Sequence, residues 1–313
     1  MINKSVLLIG GGGTLGTYTA NELLNFGCSV DVICLEDKVS HNEKLKFYKA
    51  KAELEFLQDF LRDKHYDGIV NFIHYPDVSV YPPVHKLLIS STEHLIVLSS
   101  YRVYANEEHP ITEQSPRLLD VSTDKNFLYE ETYALSKAKL ENFLNTECKG
   151  ENWTVVRPVI SFSKYRFDLV TYYGHDLLQR IKSGETISLP QDAKKLTAGL
   201  DWAGNSGKLI ANLLFKKECF GEAYTISSAQ NLTWGEVAEI YTELLGAKIA
   251  WVSLDEYLKA TNNFNYYALI YDRLFDRNID NNKVLEATGL KSEDFTPIKE
   301  GIKKELLLLE GEK

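Results

Sequence analysis

The 313-residue chain carries 35 Lys and Arg against 44 Asp and Glu, a formal net charge of -9, with 44% hydrophobic and 25% charged residues. That is an ordinary globular composition, long enough for one large domain or two modest ones, and its acid excess argues against a nucleic-acid binder, which shows a basic patch or stripe. No apolar run approaches the roughly 18 residues of a membrane span, and the run at 6–9 is too short for a signal peptide, so an unprocessed cytoplasmic chain is expected.

Residues 6–9 form a short apolar run that ends in glycine, as a buried parallel strand does. A helix is predicted over 17–26, closed by Gly27. Strand 30–35, helix 53–62, strand 68–73, helix 83–90 and strand 94–99 follow. A long helix is predicted over 129–147, then strand 154–157 and Pro158. Strands alternating with helices imply a parallel sheet. After Pro158 the pattern loosens. Helices are predicted at 177–182 and 202–215, and a clean amphipathic helix at 234–245 between Thr233 and Gly246. Residues 255–283, rich in Tyr, Asn and Asp, give no clear element. The main boundary is placed near 160, with 161–196 and 231–313 forming a second region and the chain returning to the sheet at about 197–230.

The four cysteines, Cys28, Cys34, Cys148 and Cys219, contain no C-x-x-C pair and read as free thiols. His74 and His175 have no ligand neighbour at useful spacing, so no metal is expected.

The segment VLLIGGGGTLGTYTANELLNFG, residues 6–27, contains two overlapping fingerprints. Gly11, Gly13 and Gly16 spell G-x-G-x-x-G; Gly10, Gly13 and Gly16 spell G-x-x-G-x-x-G. A strand that enters a helix through glycines offers backbone N–H groups and the positive helix end to a pyrophosphate. The alternative is a plain tight turn. NAD enzymes place an acid about 20 residues further on, where it bonds the ribose hydroxyls. Glu36 is the candidate, though a solvated strand-end acid reads equally well.

YALSK, residues 133–137, places Tyr133 and Lys137 on one helix face. An ammonium near the phenol, with an oxidised nicotinamide nearby, favours a phenolate able to take a proton from a substrate hydroxyl. Among 18 tyrosines such a pair arises about once or twice by chance. Order carries more weight: the glycine loop, then VLSSYRVYA at 97–105, then the Tyr–Lys helix, then VVRP at 155–158. Ser99 and Ser100 sit at the carboxyl end of a parallel strand, the edge where open α/β sheets bind ligands.

With these residues in place, the chain resembles the extended short-chain dehydrogenase/reductase family, the NAD(P)-dependent sugar-nucleotide epimerases and dehydratases. The match spans roughly residues 5–250. It includes Gly10, Gly13 and Gly16, the S-S-x-x-V-Y segment from Ser99 to Tyr104, Tyr133 with Lys137, and Arg157-Pro158. It continues with LDWA at 200–203 and GEAYTIS at 221–227. The resemblance implies a Rossmann-type doubly wound α/β fold with a smaller C-terminal α/β substrate-binding region. It selects the Gly10 register, with Thr14 and Leu15 inside the loop. It implies Tyr133 as general base, Lys137 as its electrostatic partner and ribose ligand, and Ser100 as the hydroxyl that orients substrate. Ser99, Pro158 and Val159 to Ser161 would flank the cofactor.

Several positions depart from the family pattern. Cys34 stands where the ribose-binding acid is usual, leaving Glu36 or Asp37 as shifted substitutes. Lys49 or Lys51 near the adenosine would favour NADP; NAD is preferred. The fourth strand ends Asn71-Phe72-Ile73-His74-Tyr75, bulkier than the usual small residues. Tyr101 and Arg102 replace the Asp-Glu pair of the 4,6-dehydratases, and arginine is no acid or base at neutral pH, so that reaction is disfavoured. The acidic stretch between Ser100 and Tyr133 reads as a solvated loop.

On the substrate side, Arg102, Tyr165, Arg166 and Arg180 are candidates, Arg166 and Arg180 for a diphosphate. An ordinary surface helix is the alternative for 160–184. The function expected is an NAD(P)-dependent epimerase or oxidoreductase on a nucleotide-diphosphate sugar, with no nucleic acid or membrane partner. A homodimer through the Tyr-Lys helix is expected by analogy. The alternatives are a non-catalytic NAD(P)-binding regulator and an RNA-binding relative of the fold, the latter opposed by a pI near 5.4.

Overall fold

Val6 and Leu8 pack on one face of the first strand and Leu7 and Ile9 on the other, all of them 0% exposed. Burial on both faces is the condition of a central parallel strand. The computed structural model describes residues 3–262 and 265–311. Its first half runs β1 Ser5–Ile9, α1 Thr14–Asn25, β2 Ser29–Cys34, β3 Leu45–Lys49, α2 Leu54–Leu61, β4 Gly68–Asn71, α3 Tyr81–Ser90 and β5 Leu95–Leu98. There follow α4 Leu118–Val121, α5 Lys125–Glu130, α6 Tyr133–Glu147, β6 Trp153–Pro158 and β7 Ile160–Phe162. The second half holds β8 Asp168–Leu169, β9 Tyr172–Tyr173, α7 Gly174–Lys182, β10 Thr186–Pro190, β11 Leu200–Trp202, α8 Ala203–Leu213 and β12 Glu222–Ile226. It closes with α9 Trp234–Leu245, β13 Lys248–Val252, α10 Leu254–Ala260, α11 Tyr266–Ala268, α12 Asn282–Thr288 and α13 Ile298–Gly311.

Seven strands form one parallel sheet in the order β12-β6-β5-β4-β1-β2-β3. This is the Rossmann-type doubly wound sheet that the sequence implied. Helices α1 and α8 cover one face through Ala20, Leu23, Leu209 and Leu213. Helices α2, α3 and α6 cover the other through Leu57, Leu88, Leu140 and Leu144. A β-carbon on Gly207 would lie 2.5 Å from the backbone of Tyr18, so glycine is what lets α8 approach α1. The strand order reverses between β1 and β4, and the crevice at their carboxyl ends is where such sheets bind ligands. The smaller region has its own core, with Phe162, Phe167, Leu177, Trp234 and Tyr241 near its centre. Among the described residues no helix is long and apolar enough to cross a membrane.

The long helix expected at 129–147 is two helices. Phe127 stacks on Tyr271, ring centroids 4.0 Å apart, which fixes α5. The chain turns at Glu131-Thr132, and the Glu131 carboxylate accepts the Ala134 N–H at 2.9 Å. The helix expected at 17–26 begins earlier, at Thr14. The stretch 45–49, given no element from the sequence, is the edge strand β3. The chain returns to the sheet through α8 and β12, but Val284 and Phe295, assigned to the second region, also pack against the α1–α8 face. The unassigned 255–283 segment contains α10, α11 and a π-helical turn at Leu269–Arg273; residues 263 and 264 lie outside the described residues.

Candidate active site

The loop between β1 and α1 uses its glycines for different reasons. Gly10 has φ +72°, a left-handed conformation that favours glycine. A β-carbon on Gly11 would meet Leu8 Cβ at 2.8 Å, and one on Gly12 would meet Glu36 Oε2 at 2.4 Å. One on Gly16 would lie 2.3 Å from Gly11 Cα. So Gly10 supplies the turn while Gly11 and Gly16 supply close packing, and both overlapping fingerprints have a physical role.

A cleft of ≈ 430 Å³ opens at the sheet's switch point. Gly10, Gly13, Thr14, Leu15 and Gly16 form one wall, at the start of α1. Ser99, Ser100 and Arg102 come from the end of β5, Tyr133 from the start of α6, and Pro158 and Val159 from the end of β6. Arg166 and Arg273 complete the lining. These residues were singled out from five separate stretches of sequence, and the fold gathers them. Tyr165 lines an adjoining cleft with Arg102, Arg166 and Arg273.

Other candidates fall elsewhere. Lys137 is 1% exposed and does not line the cleft; its Nζ donates to Leu98 O at 2.5 Å. Burial lowers its ammonium to about 7. The cations beside the phenol are guanidiniums instead: the Arg102 guanidinium carbon lies 5.1 Å from the Tyr133 ring centroid, and Arg166 is within electrostatic reach of Tyr133. Ser99 lines the cleft, yet its hydroxyl donates to Glu141 at 2.5 Å. That carboxylate also accepts from Arg157 Nε at 2.8 Å and Arg117 Nη1 at 3.1 Å, so Arg157 is an anchor of the β5–β6–α6 core. Arg180 is not at the cleft; it pairs with Asp176 on α7 and with Glu185 just beyond that helix. Glu36 lies outside the cleft lining but beside Gly12. Lys49 pairs with Asp37 and Lys51 with Glu53, while Lys38 Nζ donates to Gly12 O at 2.5 Å.

Sequence reasoning missed Phe72 and Arg273, both in the lining. Phe72 directly follows β4, where bulk was noted without a role. Arg273 lies in the stretch without a readable period, and no local signal marks it. It missed Glu305 as well. This fully buried carboxylate on α13 accepts the Tyr18 hydroxyl, Trp202 Nε1 at 2.6 Å and the Lys164 N–H at 2.8 Å. It thereby ties α1 to the loop that carries Tyr165 and Arg166. Across the cleft mouth, Thr14 Oγ1 and Ser163 Oγ are hydrogen-bonded at 3.0 Å. Away from the cleft, His85, Cys148 and Glu151 hold donor atoms within 4.8 Å of one another. His85 Nε2 and Glu151 satisfy each other at 2.7 Å, and burial pushes the Cys148 thiol up to about 11.

No family model matches the chain, and no curated protein matches its sequence. Solved structures match its fold. UDP-glucose 4-epimerase of Thermus thermophilus, in complex with NAD, is 18% identical, with a TM-score of 0.65 over 95% of this chain and 96% of that one. ADP-L-glycero-D-manno-heptose-6-epimerase of Helicobacter pylori is 14% identical, with a TM-score of 0.69 over 98% of this chain and 96% of that one. MoeE5, in complex with UDP-glucuronic acid and NAD, is 16% identical, with a TM-score of 0.69 over 99% of this chain and 100% of that one. The chain has the fold of the NAD-dependent epimerases and dehydratases. The resemblance to extended short-chain dehydrogenases therefore holds at the level of the fold.

The epimerase fold makes a dinucleotide the occupant to test against the residues present. Gly13 gives the decisive observation. Its φ of -85° suits any residue, and a β-carbon there would meet nothing within 4 Å. Among the described residues nothing requires glycine at this position, which lines the cleft at the N-terminus of α1. A pyrophosphate approaching those backbone N–H groups does require it.

Proposed function

We propose that the protein is an NAD-dependent epimerase or oxidoreductase acting on a nucleotide-diphosphate sugar. The observation that carries this reading is the single cleft shared by the glycine loop, Ser100 and Tyr133. Gly10, Gly13, Thr14, Leu15 and Gly16 would hold the dinucleotide phosphates, Glu36 the adenosine ribose, and Ser99, Pro158 and Val159 the nicotinamide half. With Glu36 beside Gly12, and Lys49 and Lys51 engaged by acids, NAD is favoured over NADP.

Bound there, the nicotinamide supplies a hydride acceptor and donor. The Tyr133 phenol oxygen takes the proton of the substrate hydroxyl as that carbon is oxidised, and returns it on reduction. The Arg102 guanidinium lies over the Tyr133 ring and Arg166 is within electrostatic reach of it. The Ser100 hydroxyl, which accepts the Arg102 N–H at 3.2 Å, holds the substrate oxygen at Tyr133. An epimerase returns the hydride to the opposite face of the sugar; a reductase stops after one transfer.

The test is a calorimetric titration with NAD⁺, NADP⁺ and their reduced forms, followed by addition of nucleotide sugars. Micromolar binding of the NAD pair, and a change in nicotinamide absorbance with a sugar, support the reading. Failure of every dinucleotide to bind overturns it. The position of Lys137 favours one rival, a non-catalytic NAD-binding regulator. That rival predicts tight binding with no nicotinamide reduction by any sugar.

A further inference from the structure

Arg102, Arg166 and Arg273 line both the main cleft and the one adjoining it. The carboxylates that answer them are Asp168 and Asp272, each 1% exposed, and Glu131. With Arg277 behind, four guanidiniums meet three carboxylates, leaving one positive charge without a counter-charge in a chain that is otherwise acidic.

That surplus is localised. Arg166 is held by Asp168 through two bonds of 2.7 and 2.8 Å. Arg273 bonds Asp272, the Tyr101 hydroxyl and Val170 O. Arg277 bonds Asp272, Tyr104 O and Tyr271 O. Arg102 alone is loosely answered. Its Nη2 reaches Glu131 at 3.4 Å and its Nε stands 3.6 Å from Asp272. Among the described residues, Arg102 Nε is the buried side-chain donor left without a hydrogen-bond partner. A buried donor in that state is uncommon in native proteins and calls for an acceptor.

Arg102 is also next to the proposed chemistry. It follows Ser100 by two residues, and its guanidinium carbon is 5.1 Å from the Tyr133 ring centroid. A group held by Arg102 therefore lies beside the reacting hydroxyl. One unpaired N–H and one surplus positive charge suit a planar monoanion, which guanidinium binds well. A diphosphate carries more charge and would draw on Arg166 and Arg273, which already spend donors on Asp168 and Asp272, so Arg102 is the least committed of the three.

We infer that Arg102 receives a carboxylate on the reacting sugar, so that the preferred substrate is a nucleotide-linked uronic acid. This rests on the nucleotide-sugar reading of the site. Arg102 is then the specificity residue, discriminating the acid from the neutral sugar of the same shape.

The experiment compares UDP-glucuronic acid with UDP-glucose by calorimetry on the NAD-loaded protein, in wild type, Arg102→Leu and Arg102→Lys. Wild type is expected to bind the acid at least about tenfold more tightly than the neutral sugar. Arg102→Leu should abolish that preference, the loss of affinity for the acid exceeding the loss for UDP-glucose by about tenfold. Arg102→Lys, which keeps the charge but loses the planar fork, should retain part of the preference and covers a Leu variant that fails to fold. Equal wild-type affinities overturn the inference. So does an equal loss for both ligands in Arg102→Leu, because Arg102 would then read the diphosphate. If neither sugar nucleotide binds while NAD does, the inference fails together with the substrate class proposed above, a result distinct from equal binding.

Discussion

A β-carbon built on Gly16 would lie 2.3 Å from the Cα of Gly11, whereas one built on Gly13 meets no atom within 4 Å. The two glycines therefore answer to different partners, and alanine separates them. Gly16→Ala forces α1 off β1 and should cost about 1–3 kcal/mol in denaturant unfolding. Gly13→Ala should leave stability within about 0.5 kcal/mol. Its NAD affinity should fall about tenfold or more by calorimetry, equivalent to about 1.4 kcal/mol. Unchanged affinity in Gly13→Ala would remove the phosphate from this loop.

Tyr133→Phe keeps the ring against His74, whose centroid is 4.9 Å away, and deletes only the oxygen. NAD affinity should persist while turnover on an accepted sugar falls about 10²- to 10⁴-fold. Surviving turnover would mean that another group moves the proton.

Lys137 is held in the core with its ammonium lowered to about 7. An unfolded chain keeps that proton up to the ordinary lysine range near 10.4, so between those limits it binds more protons than the folded one and stability from this group rises with pH. Lys137→Met should therefore raise the unfolding free energy at pH 6–7 by about 1 kcal/mol or more, read by denaturant unfolding, and the gain should shrink by pH 10. Glu141 is not orphaned by the change, because Arg157 and Arg117 remain on it. Activity measured alongside stability tells whether this buried cation serves the reaction.

His94 is buried as the neutral ring. Its Nδ1 accepts the Phe215 N–H at 3.1 Å, which leaves Nε2 to donate to Thr154 Oγ1 at 2.8 Å. Burial lowers it to about 4. As pH falls from the ordinary histidine value near 6.5, the unfolded chain takes up a proton that the folded ring refuses, so stability is lost by up to about 1.4 kcal/mol per pH unit. Asp201 works the other way, because burial raises its carboxyl to about 6 and folding then favours the proton. The contribution of His94 is best read by difference: His94→Asn should show a shallower stability loss between pH 6.5 and 4.5 than wild type. Parallel curves would place the titration elsewhere.

The outward face of α6 carries Lys139, Asn142, Asn145 and Thr146, all exposed. A homodimer built on that face would bury four polar side chains with no apolar stripe to offset them. Light scattering is expected to give the monomer mass, and a dimer that Asn142→Arg dissociates would reverse this.

The inner strands β1, β2, β4, β5 and β6 of the main sheet were legible because burial on both faces leaves continuous apolar runs such as 6–9 and 95–98, whereas the half-exposed edge strand β3 was not. The glycine loop was legible because its conformational demands are local. The amphipathic helix α9 was legible at both ends, from Thr233 to Gly246; the structure adds a capping box, with Thr233 and Glu236 bonding each other's backbone N–H. The break before α6 was not, because it depends on Phe127 meeting Tyr271 across more than 140 residues of chain.

By itself the sequence determined the alternating strand–helix order, the turn at Gly10 and the residue types gathered around Tyr133, since each rests on period, turn chemistry or motif within one short stretch. Only the tertiary structure decided which charges face the phenol. Lys137 is one helical turn from Tyr133 in sequence, yet packing sends its ammonium to Leu98 O. Arg102 and Arg166 arrive from separate segments, and Arg273 joins them in the cleft wall from a stretch with no readable period. Local periodicity fixes the face a side chain occupies on its own element; which partners it meets, and how far burial alters its charge, depends on the elements that the fold brings against it.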